Sequence, residues 1–190
     1  MKRLFSVIVV ALLLTGCASK APPSYPENLC KIFKEKPTWH KAAKASRKRW
    51  GTPVQVMMAI MYQESSYRSD ARPPQSYFLF LPMGRASTAY GYAQALDGTW
   101  DMYLDDAGGT FASRDDFEDA IDFIGWYTHK TRQKNKVSRW RADHLYLSYH
   151  EGWGGYTRGT YRKKKWLMNT SKRVNQRASE YGEQLRRCSL

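Results

Sequence analysis

Glu64 has the sequence context of a proton-transfer residue. It follows an apolar stretch in which Val54, Met57 and Met61 share one helical face at about 100° per residue, and it lies at the edge of that face. Apolar neighbours disfavour a charged carboxylate and raise its pKa, so such a glutamate can hold a proton near neutral pH and donate it. The alternative is an ordinary solvated glutamate at a helix end.

Two later segments carry polar and aromatic side chains that favour the catalytic interpretation. They are residues 89–96, which include Gly91 and Gln94, and residues 147–156, which include Tyr149. A glutamine offers both donors and an acceptor, and a tyrosine hydroxyl can position a neighbouring carboxyl group. Each segment alone is weak evidence for a catalytic site. The order in which the two segments follow Glu64 along the chain strengthens that evidence.

Taken with Glu64-Ser65 and the following Ala71, the two segments resemble the soluble lytic transglycosylase family. The lysozyme-like domain of that family carries a Glu-Ser helix end, a Gly-x-x-Gln segment and an Ala-Tyr-Asn-x-Gly segment in this order. The resemblance covers roughly residues 38–187. It implies a mainly α, lysozyme-like helical domain with a cleft and at most a small β hairpin.

The chain also departs from the family pattern. It has Tyr92-Ala93-Gln94 where the family usually has Leu-Met-Gln, and Ser148-Tyr149-His150 where the family has Ala-Tyr-Asn. The stretch 72–88 is longer than expected between the first two motifs. These differences indicate a divergent branch whose specificity can differ from that of the better-known members.

The resemblance implies a role for three residues. Glu64 protonates the glycosidic oxygen between N-acetylmuramic acid and N-acetylglucosamine, then takes the proton of the muramyl C6 hydroxyl as that oxygen closes on C1. The product is a 1,6-anhydro sugar and no water is consumed. Tyr149 is expected to form a hydrogen bond near Glu64 and hold it. Gln94 is expected to bind acetamido or hydroxyl groups of the sugar.

Further substrate contacts are expected near the three motifs. Aromatic faces suit the apolar CH faces of pyranose rings, with a polar tip left for the hydroxyl groups. The alternatives are core packing for each aromatic ring, a helix-end role for the serine and a structural role for the histidine. The predicted substrate-binding residues are Ser65, Gln94, Tyr92, Tyr62, His150 and Trp153.

Glu151 is a second acid two residues after Tyr149, at a position where the family has a small residue. If it faced Glu64 across the cleft, it could activate water and change the reaction to hydrolysis. We favour instead a salt-bridged glutamate near a helix end. A metal site is not expected, because His144, His150 and Glu151 form no His-Glu-x-x-His pattern and no cysteines and histidines have zinc spacing. No cofactor is implied.

Local signals place the helix that carries Glu64. Thr52 as N-cap, Pro53 at the first helical position and Gln55 three residues after the cap form a capping-box arrangement. Gly51 is the expected stop of the preceding helix, which covers residues 39–50. The remaining helices are expected to begin at Asp97, at Ser113 or Asp115, at Asp143 and at about Asn169, and residues 76–81 are the predicted hairpin material beside the cleft.

The N-terminus has the pattern of an exported lipoprotein. Lys2-Arg3, an apolar run over residues 4–14 and the ending Leu14-Thr15-Gly16-Cys17 predict a signal peptide over residues 1–16, too short to span a membrane. Cys17 is then the lipidated first residue, and Ala18 favours the outer membrane, facing the periplasm. Residues 17–30 form the lipidated N-terminus and tether, and residues 31–190 form the catalytic domain. The alternative is an ordinary signal peptide with a chance cysteine.

The other two cysteines, Cys30 and Cys188, lie near the two ends of the domain. In an oxidising envelope compartment an even pair favours a disulfide, and two free buried thiols are the alternative. A bridge closing so long a loop would contribute about 5 kcal/mol on the chain-entropy account.

The chain is strongly basic, with a formal net charge of +14 at pH 7. The positive electrostatic potential of such a chain favours anionic partners. Export and the absence of a recognisable nucleic-acid motif argue against nucleic acid, whereas peptidoglycan strands, with lactyl and peptide carboxylates, and anionic lipids fit. No feature of the sequence identifies a protein partner.

Three functions stay open from the sequence. The leading one is a lytic transglycosylase cleaving the MurNAc-GlcNAc β-1,4 bond of peptidoglycan. The second is a lysozyme-type peptidoglycan hydrolase on the same fold. The third is a non-catalytic envelope lipoprotein that binds peptidoglycan, which the presence of Glu64 disfavours.

Overall fold

The computed structural model describes residues 20–190, so the predicted signal peptide and Cys17 lie outside the described residues. Helices dominate this part of the chain, as predicted, with one small antiparallel sheet. The elements are α1 (Leu29–Glu35), α2 (Pro37–Trp50), α3 (Val54–Ser65), β1 (Gln75–Phe78), β2 (Leu81–Arg85), α4 (Asp97–Asp106), α5 (Phe117–Asn135), α6 (Ala142–Arg158) and α7 (Lys165–Arg187), with a short 3-10 helix at Thr160–Lys163.

Helix α3, which ends just after Glu64, runs through the centre of the molecule. It packs against α7, α5, α2 and α6. Successive residues from Val56 to Met61 are all at most 2% exposed. The predicted apolar face is buried, and the helix is also covered on its other sides, because residues 56–61 are apolar throughout. Glu64 therefore lies at the end of a helix whose central turns are packed on every side.

Helix α3 begins without the predicted capping box. Its N-cap is Pro53, and no side chain caps it. The Thr52 hydroxyl instead pairs with the Thr128 hydroxyl on α5 at 2.8 Å. Asp97 likewise caps nothing, because its carboxylate is 2.7 Å from the Arg114 guanidinium. In both cases a partner distant in the chain replaces the local capping bond.

The other predicted helix limits are close to those observed. Helix α2 ends at Gly51, which has a left-handed φ of 78°, as predicted. The cap of α5 is Asp116, whose side chain accepts from the amides of Glu118 and Asp119. Helix α6 begins one residue before Asp143, and α7 begins at Lys165 rather than near Asn169.

The predicted hairpin forms and is longer than expected. Strands β1 and β2 pair from Gln75 with Arg85 to Phe78 with Leu81. Leu79 and Phe80 at its tip are 75% and 88% exposed. Arg85 at its base lies near the segment that precedes α4, where it borders a pocket.

The predicted disulfide between Cys30 and Cys188 is present. It joins α1 to the residue after α7, with a Cα–Cα distance of 5.8 Å, inside the normal range for such bridges. The backbone amide of Leu29 also donates to Gln184 on α7 at 2.7 Å. Both ends of the domain are thereby held together.

The described part of the predicted tether lies along the helical domain. Lys20 pairs with Asp115 at 2.7 Å, Pro23 is buried, and the Tyr181 hydroxyl donates to the carbonyl of Pro26. Within residues 20–190, no helix is long and apolar enough to cross a membrane.

Candidate active site

Glu64 lies in the last turn of α3, partly buried. Burial raises the pKa of its carboxyl group to about 7, and a hydrogen bond from Tyr146 partly offsets that rise. Tyr146 is only 4% exposed, and burial together with the nearby Glu64 raises its own pKa, so its hydroxyl stays protonated as a donor. A carboxyl group in this setting can both release and accept a proton near neutral pH.

The chain reverses sharply after Glu64. Ser66 and Tyr67 both have left-handed backbone conformations, with φ of 51° and 63°, which non-glycine residues adopt at a cost. The buried Tyr67 side chain holds this turn, because its hydroxyl donates to the Met58 carbonyl at 3.1 Å. Ser65 is buried and its hydroxyl donates back to the Met61 carbonyl at 3.3 Å, so it is engaged within its own helix.

The Gly-x-x-Gln segment folds tightly against the chain that follows Glu64. Gly91 has a φ of 76°, and a Cβ there would lie 2.0 Å from the Arg114 carbonyl oxygen, so only glycine fits. Gln94 is also left-handed, and its Nε2 donates to the carbonyls of Ala71 at 2.8 Å and Gly91 at 2.9 Å. Its amide nitrogen thus ties the second motif to the first. Within the described residues, no hydrogen bond is made to its Oε1, which is thus an unused acceptor.

Tyr149 contacts the second motif rather than Glu64 directly. Its hydroxyl donates to the Ala93 carbonyl at 2.6 Å, whereas Tyr146 makes the hydrogen bond to Glu64 that was predicted for Tyr149. The two tyrosines are three residues apart on α6 and share a face, so the sequence did not distinguish them. Burial raises the pKa of the Tyr149 hydroxyl, and the nearby charge of Glu64 raises it further.

A pocket of about 230 Å³ brings the second and third motifs together. Its lining residues are Gln94, Ala95, Leu96, Thr99, Phe123, Tyr127, Tyr149, His150, Glu151 and Gly152. Gly152 breaks α6 with φ 72° and ψ 162°, a conformation essentially restricted to glycine, at the glycine position of the third motif. The break lets the chain turn away beside the pocket. We name this space the glutamine pocket.

Glu151 is held in an ion pair, as we favoured. Its side chain is 4% exposed, and its carboxylate accepts from Lys164 at 2.7 Å, from Thr160, and lies 3.0 Å from His150 Nδ1. Burial alone would raise its pKa, but Lys164, Thr160 and His150 together lower the pKa to about 2. His150 lines the glutamine pocket, and its ring is edge-on to Trp166 at 5.1 Å.

Three aromatic residues predicted to contact substrate lie outside the residues that line the glutamine pocket. Tyr92 is 2% exposed and packs edge-on against Trp39 at 5.6 Å, so its ring is part of the core. Trp153 stacks on Tyr127 at 4.8 Å. Tyr62 is partly exposed and lies under the Arg177 guanidinium at 3.7 Å. In each case the ring packs against a neighbour that the sequence did not reveal.

Two residues of the site were missed. The only sequence feature that pointed to Tyr146 was its position three residues before Tyr149. The only feature that pointed to Tyr127 was its place among the regularly spaced apolar residues of α5. Tyr127 donates its hydroxyl to the Ser148 carbonyl at 3.1 Å and forms one wall of the glutamine pocket. Among the described residues, no three histidines, cysteines or acids are arranged to hold a metal ion.

Comparison with known proteins gives one match. The family model described as the transglycosylase SLT domain matches residues 5–188. None of the curated proteins and none of the solved structures matches the chain significantly. Since the match covers nearly the whole sequence and its three motifs meet around Glu64 and the glutamine pocket, the chain belongs to the transglycosylase SLT domain family.

Proposed function

We propose that this protein is a lytic transglycosylase that cleaves the β-1,4 bond between N-acetylmuramic acid and N-acetylglucosamine in peptidoglycan. Membership of the SLT family supports action on peptidoglycan. The observation that carries the proposal is the carboxyl group of Glu64, whose pKa of about 7 suits an acid that must also act as a base.

Glu64 serves both halves of the reaction. In its protonated form it donates its proton to the glycosidic oxygen as the C1–O bond breaks. The resulting carboxylate then accepts the proton of the muramyl C6 hydroxyl while that oxygen bonds to C1. One sugar leaves with a new hydroxyl, the other closes to a 1,6-anhydro ring, and Glu64 is again protonated.

Glu151 supports this route over hydrolysis. A hydrolase of the two-carboxylate kind needs a second acid free to activate water or attack the sugar. The Glu151 carboxylate is instead engaged by Lys164, Thr160 and His150, and its pKa of about 2 makes it a weak base. This arrangement favours the anhydro product.

Mass spectrometry of a limit digest of purified sacculi tests the proposal. We expect muropeptides that end in 1,6-anhydro-N-acetylmuramic acid and are lighter by one water than lysozyme products. Mainly reducible ends would establish the hydrolase instead. Binding without release, on sacculi from several species, would establish the non-catalytic binding protein.

We also propose that Cys17 anchors the protein by lipid to the outer membrane, facing the periplasm. The support is the Leu14-Thr15-Gly16-Cys17 ending of a signal-like segment. Cys17→Ser should leave the protein unlipidated, and it should be lost from the membrane pellet after a high-salt wash. Retention of this variant in the washed membranes would refute the anchor.

A further inference from the structure

A second and larger pocket of about 590 Å³ lies next to the glutamine pocket. We name it the arginine pocket, because Arg72, Arg85 and Arg114 line it together with Asp97 and the small residues 86–89. The two pockets share no lining residue but meet at one segment, since Ala95 and Leu96 line the first and Asp97 lines the second.

The charges of the arginine pocket are not balanced. Asp97 is its one acid, and it pairs with Arg114 at 2.7 Å. Arg85 donates to the Pro73 carbonyl, and neither Arg85 nor Arg72 pairs with a carboxylate in the described part of the chain. Residues 1–19 contain no aspartate or glutamate that could supply one. Two guanidinium groups therefore face this pocket without an anionic partner.

The arginines are attached to the same segments that build the active site. Arg72 directly follows Ala71, whose carbonyl accepts from Gln94 at 2.8 Å, and it stacks over the Tyr90 ring at 4.0 Å. Tyr90 directly precedes Gly91. Arg114 is fixed from the other side, because its Nη1 donates to the Ala95 carbonyl at 3.0 Å. The guanidinium groups of Arg72 and Arg114 are thus held beside the segments that line the glutamine pocket.

We propose that the arginine pocket binds the carboxylates of the peptides that branch from the glycan strand, an inference that rests on the proposed function. Guanidinium groups bind carboxylates through paired, charge-assisted hydrogen bonds. A carboxylate bound in the arginine pocket lies beside the glutamine pocket rather than in it. This position suits a peptide that branches from a glycan strand bound in the glutamine pocket. The pocket would then make the enzyme prefer peptide-bearing strands.

The double variant Arg72→Gln, Arg85→Gln tests the proposal on two substrates from the same sacculi. One substrate is the intact peptide-bearing strand, and the other is the strand after an amidase has removed its peptides. The amidase cuts the amide bond between the lactyl group and the peptide, so the stripped strand carries a free lactyl carboxylate but no peptide carboxylate. The two substrates therefore separate the effects of these two kinds of carboxylate. We expect kcat/KM to fall on the order of tenfold on the peptide-bearing strand, and to change less than about twofold on the stripped strand.

Arg47→Gln, Lys48→Gln is the matched control, because it removes the same two charges from the exposed last turn of α2. It should leave the preference for peptide-bearing strands intact. An equal loss in this control, or an equal loss of the pocket variant on both substrates, would overturn the proposal in favour of a general attraction between charges.

Sedimentation with the two substrates measures binding without cleavage when both variants also carry Glu64→Gln. Weaker pelleting of the pocket variant with peptide-bearing strands alone supports the proposal, even if the active protein releases no product. In that case the proposed catalytic function is refuted, whereas the proposed binding of peptide carboxylates in the arginine pocket is supported. If the pocket variant and its control pellet equally, the proposed binding of peptide carboxylates is overturned, whatever the result of the cleavage assay.

Discussion

Glu64 and Glu151 both lie where a helix ends or breaks, but their pKa values are shifted in opposite directions. Glu64 closes α3 and has a pKa of about 7, while Glu151 precedes the break in α6 and has a pKa of about 2. Burial raises the pKa in both cases. They differ in their partners, because Glu64 receives a bond from the neutral Tyr146 hydroxyl whereas Glu151 meets the Lys164 ammonium.

The comparison teaches that depth alone does not make a general acid. A buried carboxyl group with a neutral donor keeps its proton to higher pH, and one paired with a cation loses its proton at lower pH. Glu64 is therefore suited to chemistry and Glu151 to structure. The following variants test that division, from the largest expected effect to the smallest.

The largest effect is expected for Glu64→Gln on turnover of sacculi. Glutamine has nearly the same shape but cannot supply a proton, so activity should fall on the order of a hundredfold to ten-thousandfold. The matched variant Glu151→Gln should keep activity within about tenfold, because that carboxylate takes no part in proton transfer. Near wild-type turnover by Glu64→Gln, or loss in Glu151→Gln equal to that in Glu64→Gln, would reverse the two roles.

The same two variants should change stability in opposite directions. The raised pKa of Glu64 destabilises the fold as pH rises from about 4.5 to about 7, so Glu64→Gln should gain up to about 3 kcal/mol over wild type in that window. The lowered pKa of Glu151 contributes stability that is complete above about 4.5 and lost as pH falls towards about 2.

Urea unfolding at pH 5 and pH 8 measures how the free energy of unfolding of each variant depends on pH. The advantage of Glu64→Gln should widen between these pH values. The deficit of Glu151→Gln, about 3 kcal/mol, should stay constant. A constant difference for Glu64→Gln would mean that its pKa is not raised in the folded protein.

The smallest effect is expected for Tyr146→Phe. The hydrogen bond from Tyr146 lowers the Glu64 pKa, so its removal should raise that pKa further. The fall of kcat/KM on the alkaline side should then move to higher pH, with the maximal rate changed by less than about tenfold. Tyr149→Phe is the control, because that hydroxyl donates to Ala93, and it should leave the position of the alkaline fall unchanged. The same displacement in both variants would contradict the assignment of Tyr146.

Much of the fold followed from local pattern. Apolar residues at helical spacing and a glycine stop at Gly51 placed α2 to α7 within a few residues, whereas α1 was not predicted. Cys30 and Cys188 were paired by elimination and compartment. The capping residues were less predictable. Thr52 and Asp97 can each bond a neighbouring amide or a distant side chain, and only the packed structure supplies Thr128 and Arg114 as competitors.

The sequence by itself determined Glu64, Gln94 and Tyr149 as the motif residues, since motif order depends only on the chain. The tertiary structure decided what each does. It gave Glu64 a hydrogen bond from Tyr146, attached Gln94 to Ala71, paired Glu151 with Lys164, and buried Tyr92 against Trp39. A pKa or a hydrogen bond depends on distances of a few ångströms between residues far apart in sequence, and only the packed fold sets those distances.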